Sequence, residues 1–207
     1  MSIEEIMKNI DLYYSEKIQL HGATPAGVDW NSQSSQELRF QQLLKVIDTK
    51  HNFSINDLGC GFGSLFKFLN NKSCQFRYKG YDISQAMIKA ALLEFKQLEN
   101  CEFHCGDELS QADYTVASGI FNVKMGCEDK EWEAYVKKTL DKMNEASKLG
   151  FAFNILTSYS DTEYIKDYLY YANPMMYFDY CKITFSRNVA LLHDYNLYEF
   201  TILVRKL

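Results

Sequence analysis

The feature that most constrains the fold is a glycine-rich turn between a predicted strand and a predicted helix. The run Ile55-Asn56-Asp57-Leu58-Gly59-Cys60-Gly61-Phe62-Gly63 closes a strand that begins at Phe53 and opens a helix near residues 65–69. Glycines allow the backbone to turn tightly and to approach a ligand where Cβ atoms would clash. The turn therefore predicts a strand–turn–helix unit with a ligand near its glycines.

The rest of the chain repeats this alternation. Strands are predicted at residues 76–83, 101–105, 114–120 and 151–156, and helices between them carry apolar stripes from Met87 to Leu98 and from Trp132 to Met143. Alternation at these lengths predicts an α/β fold with a doubly wound, mostly parallel sheet that is covered on both faces. The segments 189–192 and 197–204 flank Asp194-Tyr195-Asn196 and predict an antiparallel hairpin at the end of the sheet.

The first 50 residues predict two helices and an irregular loop. Ile3, Ile6 and Ile10 begin a helical pattern that Gly22 can end, and Ser34 with Glu37 three residues later is a capping-box signature for a second helix. Residues 21–31 fit no regular period. The length of 207 residues suits one domain.

Composition narrows the class of partner. The chain carries 22 Lys and Arg against 27 Asp and Glu, a net charge of −5, and nucleic-acid binding normally needs a basic footprint. No segment approaches the roughly 18 uninterrupted apolar residues of a membrane span, and the acidic N-terminus lacks a secretory apolar region. We expect a cytoplasmic protein that binds neither nucleic acid nor membrane. The six cysteines form no Cys-x-x-Cys pair, so no metal site is expected.

An acidic residue follows the glycine turn at a distance typical of nucleoside binding. Asp82 ends the second predicted strand, 19 residues after Gly63, where a carboxylate can accept hydrogen bonds from both hydroxyls of a ribose. The dinucleotide fingerprint G-x-G-x-x-G is not met, because its last glycine would fall on Ser64 or Phe66. An oxidoreductase is therefore disfavoured.

The pattern Asp57-x-Gly59-x-Gly61-x-Gly63 resembles motif I of the class I S-adenosylmethionine-dependent methyltransferases. The resemblance extends over nearly the whole chain and includes Asp82, Gly106-Asp107 and Ser118-Gly119. It implies a Rossmann-like, seven-stranded sheet with an antiparallel last strand. It also implies S-adenosylmethionine (SAM) as methyl donor and S-adenosylhomocysteine (SAH) as product.

The resemblance further implies a division of the chain and a set of cofactor-binding residues. Residues 1–50 would form N-terminal helices with a lid loop, and residues 51–207 the core. The implied cofactor-binding residues are Asp57, Gly59, Cys60, Gly61, Gly63, Asp82, Ile83, Asp107, Ser118 and Tyr14. Asp57 would lie near the amino group of the cofactor; its alternative role is a cap or turn residue. Within this family, the chain resembles the small, single-domain methyltransferases of bacterial pathways that modify small molecules or polysaccharides.

The segment after the fourth predicted strand bears on the methyl acceptor. Ser118-Gly119-Ile120-Phe121-Asn122 is not the Asn/Asp-Pro-Pro-Tyr/Phe sequence that methylates base or glutamine nitrogens. We expect a small polar acceptor, methylated at oxygen rather than nitrogen, such as a sugar, a sugar nucleotide or a related phosphorylated intermediate. A hydroxyl acceptor needs a base, for which His193 and then His21 are the candidates, unless both are structural.

Acceptor-binding residues are predicted in two segments besides Asn122. Asp29 and Trp30 lie in the irregular loop, which is either a lid or a surface connection. The tyrosine-rich segment, residues 159–180, holds seven of the 15 tyrosines and includes Tyr177; Arg187 follows it as a candidate anion ligand. This segment predicts a substrate wall, a surface for a homodimer or a helix packed on the sheet. The alternative function is a catalytically silent SAM-binding module that acts through it.

Overall fold

The computed structural model describes residues 3–22, 32–72 and 74–206, and seven strands and six α-helices lie in those ranges. The strands are β1 Phe53–Leu58, β2 Phe76–Asp82, β3 Cys101–Cys105, β4 Ala112–Ala117, β5 Ser147–Leu156, β6 Asn188–Leu192 and β7 Glu199–Arg205. The helices are α1 Ile3–His21, α2 Gln33–Leu43, α3 Ser64–Asn70, α4 Gln85–Glu94, α5 Asp129–Ala146 and α6 Pro174–Thr184.

The strands form one sheet in the order β3-β2-β1-β4-β5-β7-β6. The first five strands run parallel, and β7 runs antiparallel to both of its neighbours. The predicted doubly wound sheet with an antiparallel last strand is confirmed. Strand order reverses between β1 and β4, and a crevice opens beyond the carboxyl ends of strands at such a point.

Helices cover both faces of the sheet. On one face, Trp132 and Leu140 of α5 pack against Phe151 and Phe153 of β5. On the other face, the buried side of α3, including Phe66, packs against β1 and β2. Alternate residues of each central strand point to opposite faces, which is why these strands are apolar along nearly their whole length.

The N-terminal prediction is confirmed for α1 and corrected for α2. The N–H of Gly22 donates to the carbonyl of Ile18 at 2.8 Å and ends α1, and the φ of Gly22 is +65°. The cap of α2 is Ser32, whose hydroxyl accepts a hydrogen bond from the N–H of Ser35, so the capping box at Ser34 was wrong. The irregular loop lies largely outside the described residues, at 23–31.

The apolar stripe of α4 is also narrower than the sequence pattern indicates. Met87, Ile88 and Ala91 are buried, but Leu92 and Leu98 are exposed. Of the helices within the described ranges, none has the length and apolar character that crossing a membrane requires.

Candidate active site

A cavity of about 600 Å³ lies at the edge of the sheet where β1, β4 and β5 end and β7 begins. Its walls come from these strand ends, from α1 and from the tyrosine-rich segment. The cavity brings together seven of the predicted site residues: Tyr14, Gly59, Asp82, Ile83, Asp107, Ser118 and Asn122.

The glycine turn is fastened to β2 by its own backbone. The N–H groups of Gly59 and Cys60 both donate to the carbonyl of Tyr81, at 2.7 and 3.0 Å, and the N–H of Gly61 donates to Oδ2 of Asp82 at 2.8 Å. These amides are therefore used within the protein, and Gly59, the residue of the turn that lines the cavity, presents no free N–H to it.

The glycines are required for reasons that differ from residue to residue. Gly59 has a φ of +77° and lines the cavity, and a Cβ there would lie 2.0 Å from Cγ2 of Ile120. Gly63 has a φ of +88° at the start of α3, where a Cβ would lie 2.6 Å from Phe95. Gly61 and Gly63 do not line the cavity. Gly63 allows α3 to pack closely against Phe95, and Gly61 donates its N–H to the carboxylate of Asp82.

Asp82 is the acid best placed to bind a ligand at the β2 end of the cavity. Its Oδ1 accepts from the N–H of Ser84 and its Oδ2 from the N–H of Gly61, both at 2.8 Å. Burial raises the pKa of Asp82 to about 6, and these two hydrogen bonds limit the rise. Each carboxylate oxygen can accept further hydrogen bonds, so the side chain retains capacity for a diol.

Asp57 and Cys60, which the resemblance predicts to contact the cofactor, do not line the cavity. Asp57 is buried and its Oδ2 accepts a hydrogen bond from the hydroxyl of Tyr78 at 2.6 Å. Burial raises the pKa of Asp57 to about 7. Cys60 is buried, and its Sγ packs so closely on β2 that a Cβ at Gly80 would lie 2.7 Å from it. Both residues are buried next to the glycine turn, on the side away from the cavity.

The ends of β3 and β4 form the next part of the wall. Asp107 follows β3 and pairs with Lys142 of α5 at 2.7 Å, a hydrogen bond that raises the pKa of Lys142. Ser118 follows β4, and its buried hydroxyl has no hydrogen-bond partner among the described residues. The N–H of Gly119 donates to Oδ1 of Asn154 at 2.7 Å, which fixes the backbone after β4.

Helix α1 forms the wall of the cavity that faces the strand ends. Met7, Ile10 and Tyr14 line it from one side of the helix, at the spacing that a helical face requires. The hydroxyls of Ser15 and Ser84 lie 2.9 Å apart and connect α1 to the start of α4. An N-terminal helix thus lies against the strand ends.

Asn122, Arg39 and Glu199 all line the cavity, and Asn122 and Glu199 are each joined to Leu156 at the end of β5. Oδ1 of Asn122 accepts a hydrogen bond from the N–H of Leu156 at 3.1 Å, and Leu156 pairs with Glu199 in the register of β5 and β7. Glu199 is 1% exposed and forms an ion pair with Arg39 of α2; both line the cavity. Burial raises the pKa of Glu199, while Arg39 lowers it.

The tyrosine-rich segment divides between the cavity and the core. Tyr164, Tyr168 and Tyr171 line the cavity together with Ser160 and Lys166. By contrast Tyr177, predicted to contact the acceptor, is 0% exposed on α6, with its hydroxyl 3.2 Å from that of Tyr170. Its apolar environment between Phe153 and Phe200 makes it a core residue.

The histidine and arginine candidates lie elsewhere. His193 is exposed after β6, with its ring near Tyr159 and Phe200, and it does not line the cavity. Arg187 is exposed before β6 and likewise does not line it. His21 is the last residue of α1, but its side chain is outside what the structure describes, as are Asp29 and Trp30.

Arg39 and Glu199 were missed by the sequence interpretation. The sequence offered one signal. Glu199 directly precedes the apolar run Phe200-Thr201-Ile202-Leu203-Val204, and an acid that begins a buried strand normally needs a partner. Arg39 had no such signal, because it lies in a polar helix 160 residues away from its partner.

The sheet order, the glycine turn and the acid at the end of β2 define the fold of the class I SAM-dependent methyltransferases. The family pattern described as "Methyltransferase domain" matches residues 56–149. The chain is 51% identical over 164 residues to the Mycobacterium tuberculosis (strain ATCC 25618 / H37Rv) protein named "Putative methyltransferase Rv1506c", across 79% of this chain and 99% of that protein. The chain belongs to the class I SAM-dependent methyltransferases.

Solved structures share the fold at low sequence identity. The structure of DhpI in complex with SAH superposes with a TM-score of 0.66 and 14% identity, over 99% of this chain and 98% of that one. Human N-acetylserotonin methyltransferase in complex with SAM superposes with a TM-score of 0.67 and 17% identity, over 100% of this chain and 60% of that one. These similarities bear on the fold alone.

Proposed function

We propose that this methyltransferase transfers the methyl group of SAM to a hydroxyl oxygen of a small polar acceptor. Sugars, sugar nucleotides and related phosphorylated intermediates are the leading class. The observation that carries the proposal is that one cavity runs from Gly59 and Asp82 to a polar, tyrosine-lined end at Tyr168 and Glu199. A cavity of about 600 Å³ lies within the range that holds small ligands.

The β1–β4 side of the cavity fits SAM. Asp82 offers a carboxylate for the ribose hydroxyls, Gly59 offers a surface without side chain, and the unpartnered Ser118 hydroxyl offers a polar contact. Ile83, Asp107 and Tyr14 would complete the contacts, with Asp107 already held in place by Lys142. When bound, SAM supplies an electrophilic methyl group on a sulfonium. Asp57, Cys60, Gly61 and Gly63 would act indirectly by holding the turn.

The opposite side suits a polar ring with a negative group. Tyr164 and Tyr198 have ring centroids 5.4 Å apart and together with Tyr168 give aromatic surface with hydroxyl tips. Nζ of Lys166 lies 3.4 Å from the Tyr168 hydroxyl and forms no ion pair with a described carboxylate. An uncompensated cation at the cavity mouth favours a phosphate or carboxylate on the acceptor.

The protein's part in such a transfer is positioning and exclusion of water. An in-line displacement at the methyl carbon needs the acceptor oxygen held about 3 Å away in the correct direction. Fixed strand ends, with Asn122 bonded to the backbone of Leu156, provide a rigid floor for that position. Helix α1 covers the floor with Met7 and Ile10, which keeps water out.

The test is an acceptor screen with a position-specific readout. The purified enzyme is incubated with ¹³C-methyl SAM and panels of sugars, sugar phosphates, nucleotide sugars, phenols and amines, and SAH release is measured. NMR then locates the labelled methyl. A methyl ether on a polar hydroxyl compound is expected, whereas a product methylated at nitrogen or carbon would contradict the proposal.

A matched pair of lysine variants tests the acceptor end. Lys166→Ala should raise KM for an anionic acceptor by about 10-fold, since a charged hydrogen bond contributes about 1.5–3 kcal/mol, and should leave SAH affinity unchanged. Lys148→Ala, at an exposed position of β5 that does not line the cavity, is the control. Equal effects of the two variants would remove Lys166 from the site.

A further inference from the structure

The cavity contains an acid whose chemistry is not explained by cofactor binding. Three carboxylates of the described residues line it: Asp82, Asp107 and Glu199. Both oxygens of Asp82 accept backbone hydrogen bonds, and Asp107 is half exposed and paired with Lys142. Glu199 differs because it is buried and lies on the acceptor side.

The sheet order separates Glu199 from the predicted ribose site. Three strands, β1, β4 and β5, stand between the end of β2 at Asp82 and the start of β7 at Glu199. At about 4.8 Å between neighbouring strands, these two acids are about 19 Å apart across the sheet, whereas Ser118 at the end of β4 is about 10 Å from Glu199. Glu199 therefore lies beyond the reactive end of a cofactor whose ribose is at Asp82.

The two oxygens of Glu199 are in different environments. Oε1 accepts from the guanidinium of Arg39, whereas Oε2 is buried and has no hydrogen-bond partner among the described residues. A buried carboxylate oxygen without a donor is unfavourable, and a hydroxyl of the acceptor can supply the missing donor. None of the histidine side chains that the structure describes lines the cavity, so they do not compete for this role.

We propose that Glu199 is the catalytic base of the methyl transfer and that Arg39 is the positioning residue that orients its carboxylate. This inference rests on the proposed transfer to oxygen. The acceptor oxygen forms its bond to the methyl carbon while the carbon–sulfur bond breaks, the bond pair stays on sulfur, and the hydroxyl proton passes to Oε2 of Glu199. The sulfonium charge and the carboxylate charge both disappear, so the products are a methyl ether, neutral SAH and a protonated glutamic acid.

Burial suits Glu199 to this task. Desolvation raises the pKa of its carboxyl group and makes the anion a stronger proton acceptor than a solvated glutamate. The guanidinium of Arg39 opposes this rise in pKa and so favours the ionised form of the carboxylate. The ion pair also fixes the side chain in one orientation, as a base that must meet a bound hydroxyl requires.

The first test needs no acceptor. A crystal structure with sinefungin, a SAM analogue with an amino group in place of the methyl, locates the transfer position. A hydroxyl oxygen about 3 Å from the methyl and about 2.7 Å from the base places Oε2 of Glu199 within about 6 Å of the sinefungin amine. A greater distance, or a protein side chain between the two, would overturn the assignment.

The second test uses the acceptor that the screen yields. Glu199→Gln should lower kcat by 10²- to 10⁴-fold and abolish the acid limb of the kcat–pH profile, with SAH affinity within about threefold of wild type. Glu199→Asp, which restores a carboxylate, should recover part of kcat. Asp194→Asn, an exposed acid in the same hairpin, is the matched control for folding and charge.

The outcomes separate the two proposals. A methyl ether product with kcat unchanged in Glu199→Gln would reject the base and leave transfer to oxygen intact. A product methylated at nitrogen or carbon would reject transfer to oxygen whatever the variant does. A more than 10-fold loss of SAH affinity in a folded Glu199→Gln variant would place Glu199 in the cofactor site and reject the base.

Discussion

The backbone N–H of Gly61 donates a hydrogen bond to Oδ2 of Asp82 across 2.8 Å. This contact joins the glycine turn after β1 to the acid at the end of β2, the two sequence features that carry the resemblance to the family. It explains why Gly61 belongs to the motif although it does not line the cavity. The motif acts as one unit, in which the turn orients the carboxylate.

The turn should not tolerate a side chain at Gly59. Its φ of +77° disfavours any residue with a Cβ, and that atom would also lie 2.0 Å from Ile120. Gly59→Ala should lower the free energy of unfolding by about 2–4 kcal/mol, through backbone strain and overlap together. Urea denaturation measures the loss.

Gly22→Ala is the control for strain alone. Its φ is +65°, and a Cβ there would meet no atom within 4 Å, so it should cost only about 1 kcal/mol. Adding Ile120→Ala to Gly59→Ala should restore part of the stability. Equal losses for Gly59→Ala and Gly22→Ala would show that Ile120 does not constrain the turn.

The ion pair between Arg39 and Glu199 predicts that removing one of the two charges destabilises the protein more than removing both. Arg39→Met leaves a buried carboxylate without its cation and should lower the free energy of unfolding by about 3–5 kcal/mol. The double variant Arg39→Met with Glu199→Met removes both charges and should regain most of that loss. A double variant whose loss equals the sum of the two single losses would contradict the coupling.

The pKa of Asp57 predicts a pH dependence of stability. Burial raises it from 3.8 to about 7, so between pH 4 and pH 7 the folded protein holds a proton that the unfolded chain has released. Stability from this group is therefore fully present below about pH 4 and is lost as pH rises through about 7.

Asp57→Asn removes that titration and keeps an acceptor for the hydroxyl of Tyr78. Relative to wild type, it should gain on the order of 2 kcal/mol more at pH 8 than at pH 5, because one pKa unit corresponds to about 1.4 kcal/mol. Asp82 titrates in the same direction and remains in both proteins. A difference between variant and wild type that does not change with pH would refute the assignment; the exposed Asp194→Asn is the control.

The fold was predictable from sequence where local pattern decides it. β1 begins at Phe53 and β3 spans residues 101–105 as the sequence predicts, because both signals are complete within a few residues. Ser32 replaced Ser34 as the cap of α2, since neighbouring serines offer equivalent caps and tertiary packing chooses between them.

The site was predictable only in part, for the same reason. Gly59 directly follows β1 and Asp82 ends β2, so neighbouring residues in the sequence determine the positions of both. Glu199 reaches the cavity through the register of β5 and β7, which pairs it with Leu156, and Arg39 is 160 residues away in sequence. Tyr177 was predicted to contact the acceptor but is buried on α6, because composition alone does not tell which side of the helix faces the core.

The central claim is that the cavity binds SAM with Asp82 at its ribose, and SAH calorimetry tests it most directly. Asp82→Ala removes up to two charged hydrogen bonds and should weaken SAH binding by about 100-fold, with Asp194→Asn unchanged and folding checked by thermal melting. A folded Asp82→Ala protein that binds SAH within threefold of wild type would contradict the account.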